Sequence, residues 1–212
     1  MKKLIAFDCD STLSAIEGVD ELARLAGPDV FKQVEDLTNQ AMNGEIAIEE
    51  VFAKRLELIQ PTKEQCNQIG QLYIEHIEPT AKETIEQLKK DGWECIIISG
   101  GFAPCIEPFA THLGIERIEA VPLIFTKNNE YESFDSNYPT TRNGGKPDVI
   151  KQLIAEKSPD QLVMVGDGVS DLETQHVVNQ FIAYAGYTPR EKVISQSEHT
   201  VYLLKEIQDI LM

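Results

Sequence analysis

Phe7-Asp8-Cys9-Asp10-Ser11-Thr12-Leu13 is the stretch on which the reading of this chain turns. The run leading into it, Leu4-Ile5-Ala6-Phe7, is apolar without alternation, as in a strand covered on both faces in the middle of a parallel sheet. It stops at two carboxylates spaced i, i+2, and side chains at that spacing share a face of an extended chain. Asp8 and Asp10 are therefore predicted to meet at the C-terminal end of the first strand, where open α/β sheets bind ligands. Two like charges held close either attract a cation or push one pKa upward. Either outcome suits hydrolytic chemistry. A lone Asp-x-Asp also reads as an acidic turn closing a strand, so its meaning depends on the rest of the chain.

From about Ile16 to Ile77 the periodicity is helical, with no strand signal. The spacing predicts helices over 19–26, closed by Gly27-Pro28, over 31–42, stopping near Asn43-Gly44, and over 48–59, ended by Pro61. A fourth runs from Thr62, its N-cap, to about Ile77, with Gln65 placed for a capping box. Residues 16–77 thus read as a helical module inserted after the first strand, with 1–15 and 78–212 forming the core. There the pattern alternates. A helix over 79–90 precedes the strand Cys95–Ile98, which runs into Ser99-Gly100-Gly101, and a helix over 104–113 follows. Ala120–Thr126 and Tyr131–Phe134, around Asn128-Asn129, read as a small antiparallel hairpin. Lys146 precedes a helix over 147–156, and the strand Leu162–Val165 ends in Gly166-Asp167-Gly168-Val169-Ser170-Asp171. A helix over 171–177, the strand Phe181–Ala185 and a closing strand and helix within 199–211 complete the chain. Such alternation predicts a parallel sheet. The expected class is α/β, a Rossmann-like core carrying a helical cap, with three strands ending in polar clusters at one edge.

The chain has 212 residues, 42% of them hydrophobic, enough for a substantial core. Its 35 acidic against 19 basic residues give a net charge of −16, which argues against nucleic acid or anionic membrane surfaces as partners. The same charge opposes any anionic substrate unless local cations overcome it. Met1-Lys2-Lys3 and the short apolar run after it do not make a signal peptide, and no stretch approaches the ~18 apolar residues of a membrane span. Cys9, Cys66, Cys95 and Cys105 form no Cys-x-x-Cys, so reduced thiols and a cytoplasmic location are expected. The four histidines are scattered and none reads as a zinc ligand.

The polar clusters together have the parts of a phosphate site. Gly100 and Gly101 leave backbone amides open to an oxyanion. Ser99 brings a hydroxyl and Lys146 a point charge. Asp8 with Asp167 makes an all-oxygen environment suited to Mg²⁺ rather than zinc. Each part alone has a plainer reading: Ser-Gly-Gly as a turn, Lys146 as a solvated helix start, Gly-Asp-Gly as a loop. Their appearance in this order, each after a strand or before a helix, favours the functional one.

These motifs resemble, in order, the four motifs of the haloacid dehalogenase superfamily of phosphotransferases: Phe-Asp-x-Asp-Ser-Thr, Ile-Ser-Gly-Gly, the lysine, and Gly-Asp-Gly-x-x-Asp, spanning residues 7 to 171. The inserted helices resemble the cap of the branch that hydrolyses phosphoserine. Glu17-Gly18-Val19-Asp20-Glu21-Leu22, Ala41-Met42-Asn43-Gly44 and Arg55-Leu56-Glu57-Leu58 are each similar to that branch's sequence. The resemblance implies Mg²⁺-dependent hydrolysis of O-phospho-L-serine, a step of serine biosynthesis, by a monomer or homodimer. Asp8 is then the nucleophile that becomes an aspartyl phosphate, and Asp10 the general acid and base. Asp8, Asp10 (through its carbonyl), Asp167 and Asp171 would hold or orient the metal. Ser99, Gly100, Gly101 and Lys146 would hold the phosphoryl oxygens, with Ser170 touching them.

In the cap, the resemblance implies that Glu17 takes the substrate ammonium and Arg55 its carboxylate, with Met42, Asn43 and Gly44 as the wall. On periodicity alone Glu17 reads as a helix-start carboxylate and Arg55 as a surface ion pair. Ser170 stands where relatives more often carry Asn, Asp or Thr, and Arg142 adds a basic residue near Lys146 with no assigned role. A same-superfamily enzyme acting on another small phosphorylated metabolite, such as phosphohomoserine, is the alternative. A signalling receiver domain also combines acidic residues with a lysine, but has no long helical insertion after its first strand.

Overall fold

In the computed structural model, which describes residues 1–42, 46 and 48–211, β1 (Lys3–Phe7) is flanked on both sides by parallel strands. Leu4 through Phe7 have at most 1% of their surface exposed. Alternate residues serve opposite faces. Ile5 and Phe7 join one apolar cluster with Ile97 and Val165, whereas Leu4 and Ala6 join another with Ile96, Ile98 and Met164. The uninterrupted apolar run is thus a strand with no solvent face.

After β1 the chain forms α1 (Gly18–Ala26), α2 (Pro28–Met42), α3 (Ile48–Ile59) and α4 (Lys63–Glu75). Thr62 caps α4 with the full capping box to Gln65. The chain leaves the core at 13–15 and returns at 76–78, where Ala15 donates to the His76 carbonyl and Glu78 to that of Leu13. Asn43 and Gly44 lie outside the described residues, as does the side chain of Met42, the last residue of α2.

Beyond that junction come α5 (Ala81–Lys90), β2 (Trp93–Phe102), α6 (Ala103–Leu113), β3 (Arg117–Val121), β4 (Leu123–Phe125) and β5 (Tyr131–Phe134). They are followed by α7 (Gly145–Lys157), β6 (Gln161–Gly166), α8 (Val169–Leu172), β7 (Gln180–Tyr184), α9 (Glu191–Gln196), β8 (His199–Val201) and α10 (Ile207–Leu211). The main sheet has six strands in the order β3-β2-β1-β6-β7-β8, every pair parallel. The order reverses between β1 and β6, which places a crevice at their C-terminal ends. On one face α5 and α6 contribute Ile85, Leu88, Cys105 and Phe109; on the other α7, α8 and α9 contribute Val149, Ile150, Leu172 and Val193.

The strand expected over Cys95–Ile98 runs on through Ser99-Gly100-Gly101 to Phe102, and two further elements differ from the sequence expectation. The run Ala120–Thr126 is not one hairpin strand, because Pro122 divides it. Residues 117–121 form β3 at the edge of the main sheet, and only Leu123–Phe125 pairs antiparallel with β5. Proline has no N–H to give a ladder, so the chain leaves one sheet and starts the other there. The helix expected over 171–177 instead begins at Val169, ends at Leu172, and continues as a 3₁₀ turn over Glu173–His176. Asp171 draws the start forward by accepting from the Gly168 amide at 3.0 Å.

Candidate active site

The end of β1 fixes the floor of the crevice. The Asp8 amide still donates to the Val165 carbonyl of β6, so the nucleophile candidate is held within the sheet. Its Oδ1 accepts from the Cys9 amide at 2.8 Å and lies 2.8 Å from Lys146 Nζ. The chain then turns sharply, with Ser11 in the left-handed region at φ 52° and the amides of Leu13 and Ser14 donating to the Cys9 carbonyl. The turn carries Thr12 inward, where its hydroxyl donates to Asp167 Oδ1 at 3.3 Å.

Lys146 enters from the first turn of α7. Gly145 lets that turn lie against the Pro139 carbonyl, which a Cβ would overlap. The lysine is 5% exposed, with Nζ 2.6 Å from Asp171 Oδ1 as well as 2.8 Å from Asp8. Burial opposes its charge, but Asp171 and Asp8 outweigh that and hold its pKa above the ordinary value. Asp167, from the end of β6, also meets Arg190 at 3.1 Å.

Asp8, Asp167 and Asp171 each place a carboxylate oxygen within 4.8 Å of the other two. Burial, then repulsion from Asp8, pushes Asp167 up to about 6, while Arg190 and Lys146 pull it back. The same two causes raise Asp171 well above the carboxylate range. A buried, all-oxygen set of mutually repelling carboxylates is what a hard divalent cation relieves. These acids hold protons more tightly folded than unfolded, so without metal their contribution to stability falls as pH rises from about 4 through about 6. A divalent cation binding the native state alone should reverse this. At 100 times its dissociation constant it adds about 2.7 kcal/mol, or roughly 5–10 °C in a domain of this size. Melting curves with chelator and with Mg²⁺ should show such a rise at pH 7.5 and a smaller one at pH 5. No rise at either pH would rule out a metal site.

Asp10 faces away from that triad. Its Oδ1 accepts from the Tyr73 hydroxyl at 2.6 Å and the Gly18 amide at 2.7 Å, and its Oδ2 lies 3.4 Å from the Ser99 hydroxyl. Burial and the Asp8 charge push it up to about 6. The Gly101 amide donates to Ser99 Oγ at 2.9 Å, so it orients that hydroxyl.

A cavity of about 690 Å³ covers these groups. Asp8, Asp10, Ser99, Gly100, Gly101, Lys146 and Asp167 line its floor; Glu17, Val19, Asp20, Phe52 and Arg55 line the cap side. Ser170 lies exposed at the rim. Arg142 lines it too, paired with Asp148 at 2.6 Å. Asp171 is buried beneath and acts through Lys146 and Gly168.

Glu17 accepts from the Ser11 hydroxyl at 2.7 Å. Burial and the Asp10 charge push it up to about 8, although its outer edge is open to solvent, so a cation entering the cavity would lower it. Arg55 donates to the Thr38 hydroxyl, while its buried Nε has no partner among the described residues. Burial lowers its pKa, opposed by Asp20 and Glu17. Thr12, Tyr73 and Arg190 are site residues that sequence reasoning did not single out. Thr12 stood inside the first motif, Tyr73 looked like a core aromatic, and Arg190 had no signal at all.

Residues 5–175 match the model of the haloacid dehalogenase-like hydrolases. A phosphoserine phosphatase of Drosophila melanogaster is 36% identical over 202 residues, 94% of this chain and 74% of its own. Among solved structures, a phosphoserine phosphohydrolase-like protein from Francisella tularensis is similar with a TM-score of 0.83 and 30% identity, over 100% of both chains. A phosphoserine phosphatase solved as a phospho-aspartyl intermediate analogue gives a TM-score of 0.79 at 26% identity, over 99% of this chain and 98% of that one.

Proposed function

This chain belongs to the haloacid dehalogenase-like hydrolases, and from that membership we propose that it hydrolyses O-phospho-L-serine to serine and phosphate through a phosphorylated Asp8. One observation carries the substrate reading. The floor of the cavity holds Asp8 against Lys146, while its cap side presents a carboxylate, Glu17, and a guanidinium with an unpartnered buried Nε, Arg55. An amino acid joined to a phosphate has the matching three charges: ammonium for Glu17, carboxylate for Arg55, phosphate for the floor. A sugar phosphate would offer neither group an opposite charge, and the buried Nε of Arg55 would stay unpartnered at a cost of about 1–3 kcal/mol.

An Asp8 carboxylate oxygen attacks phosphorus, the bond from phosphorus to the serine oxygen breaks, and that oxygen takes the proton of the Asp10 carboxyl. Water then attacks the phosphorus of the aspartyl phosphate and gives a proton to Asp10. The bond from phosphorus to Asp8 breaks, restoring the carboxylate and releasing phosphate. Lys146, the Ser99 hydroxyl and the Gly100 amide hold the non-bridging oxygens, with Ser170 closing the rim. Asp8, Asp167 and the Asp10 carbonyl, with Asp171 behind them, would hold Mg²⁺, which when bound would neutralise charge on the transferring phosphoryl group. Among the described residues no helix is long and apolar enough to cross a membrane. All four cysteines are free and buried, which fits a cytoplasmic location.

The test is Mg²⁺-dependent phosphate release from L-phosphoserine, phosphohomoserine and an aryl phosphate, by wild type and Arg55→Ala. Wild type should prefer phosphoserine. Arg55→Ala should raise its KM by roughly 10–150-fold, as loss of a charged hydrogen-bonded pair worth about 1.5–3 kcal/mol requires, with kcat changed far less. The aryl phosphate should be indifferent to the substitution. Equal wild-type rates on all three would keep the phosphatase and discard the serine reading.

A further inference from the structure

Tyr73 has a buried hydroxyl that the steps above leave without a role. It sits near the C-terminal end of α4 with none of its surface exposed, its ring stacked on Phe109 of α6 at 5.6 Å and 13°. Phenylalanine would serve that stacking equally well, and a buried hydroxyl is unfavourable unless it is hydrogen-bonded. This one donates to Asp10 Oδ1 at 2.6 Å. The Gly18 amide donates to the same oxygen at 2.7 Å. The local sequence accommodates the arrangement, because a Cβ on Gly18 would lie 2.1 Å from the Tyr73 hydroxyl oxygen. Glycine at the start of a helix weakens it, and here it leaves room for the tyrosine. Two donors on one oxygen fix the rotation of the carboxylate. The other oxygen, Oδ2, is then turned toward Ser99, 3.4 Å away, on the floor of the cavity.

We propose that Tyr73 is a positioning residue for proton transfer: with the Gly18 amide it clamps Oδ1 of Asp10, so that Oδ2 is the oxygen that gives a proton to the leaving group and takes one from water. The proposal rests on the aspartyl-phosphate reading above. In the first half-reaction the proton passes from Oδ2 to the departing oxygen as its bond to phosphorus breaks. In the second it returns from the attacking water to Oδ2. Tyr73 keeps its own proton throughout. The clamp also links the cap to the chemistry. Asp10 belongs to the turn after β1, whereas Tyr73 arrives on the last cap helix, so the carboxylate is aimed only when α4 is seated on α6.

A leaving group that needs no proton separates positioning from mere packing. With Mg²⁺ present, Tyr73→Phe should slow single-turnover phosphorylation of the enzyme by phosphoserine roughly 10–100-fold, a part of the ~10²–10⁴ that general acid catalysis supplies. KM should stay within about threefold. Phosphorylation by p-nitrophenyl phosphate, whose phenolate departs unprotonated, should stay within about threefold of wild type. Gly18→Ala, which pushes the hydroxyl aside while keeping the tyrosine, should show the same leaving-group-dependent loss. Equal slowing with both substrates, or none with either, overturns the proposal. Should wild type prefer another alkyl phosphate, the serine reading fails, but the same comparison run with that ester still decides the role of Tyr73. A wild type that turns over no alkyl phosphate overturns both.

Discussion

Asp8→Asn should lower phosphate release from phosphoserine by on the order of 10⁴-fold or more, leave no trappable phosphoenzyme, and still melt higher than wild type in chelator. The first two outcomes follow from the nucleophile. An amide lacks the anionic oxygen that must attack phosphorus, and removing the attacking atom disables the groups arranged around it. The third follows from charge crowding. Asp8 repels Asp10, Asp167 and Asp171, helping to push the first two up to about 6 and to raise the third. Replacing it with a neutral side chain removes that repulsion. The carbonyl of an asparagine can still accept from the Cys9 amide and Lys146, and Lys146 keeps Asp171 at 2.6 Å. Each 1 kcal/mol regained should appear as about 2–4 °C in a domain of this size, and the stabilisation by Mg²⁺ should shrink because one ligand has lost its charge. Melting curves with chelator and with Mg²⁺, run beside the turnover assay, check all of this. Turnover within tenfold of wild type would mean that a different atom attacks phosphorus.

Three of the residues legible without any family resemblance, Asp8, Ser99 and Asp167, share one property: each comes where an apolar run covered on both faces gives way to polar residues. β1, β2 and β6 are such strands; Asp8 and Asp167 sit just beyond the ends of β1 and β6, and Ser99 lies within β2, two residues past Ile97, the last residue of β2 that pairs with β1. β3 was not legible because an edge strand keeps a wet side. Arg117 and Glu119 pair along one face of it at 2.8 Å, and Arg117 reaches on to Glu156, so its charges hid the strand until Pro122 ended it. Tyr73 was illegible for the opposite reason. Its spacing on α4 is that of any core residue, and the acceptor of its hydroxyl is 63 residues away in the chain. Periodicity reports which side of a helix is buried, never what a buried polar atom meets. Arg190 lies between elements with its partner Asp167 23 residues earlier, and a loop arginine has no pattern to betray it. The charge puzzle does resolve in space. Among the described residues lining the cavity, Arg55, Arg142, Lys146 and Arg190 stand beside Asp8, Asp10, Glu17, Asp20 and Asp167, so the cleft is close to neutral inside a chain whose net charge is −16, and a bound divalent cation would tip it toward an anion. Arg142, unassigned in sequence, is one of these four basic residues.

Lys146→Met should act on stability in the opposite sense to Asp8→Asn, although the two residues form one ion pair. Methionine matches the lysine in length and leaves Asp8 and Asp171 buried with no cation between them. Breaking a buried pair by removing one partner costs about 3–5 kcal/mol, because the remaining charge is neither hydrated nor paired. The metal-free variant should therefore melt roughly 6–20 °C below wild type at pH 7.5. The deficit should narrow at pH 5, where Asp167, pushed up to about 6 by burial and by Asp8, takes up a proton and the repulsion eases. Mg²⁺ should restore more stability to this variant than it adds to wild type, since it finds the same carboxylates with no lysine to displace. Turnover should nonetheless stay at least ~10²-fold below wild type even in saturating Mg²⁺, because the phosphoryl group has lost a fixed cation. Combining the two substitutions isolates the excess of negative charge. With Asp8 neutral, loss of Lys146 leaves Asp171 as the one carboxylate of the pair unpaired, so the double variant should fall between the singles, recovering a large part of what Lys146→Met loses. A Lys146→Met protein as stable as wild type in chelator at pH 7.5 would mean that these carboxylates are already neutral in the folded state. The site would then assemble its charge only when metal and substrate arrive.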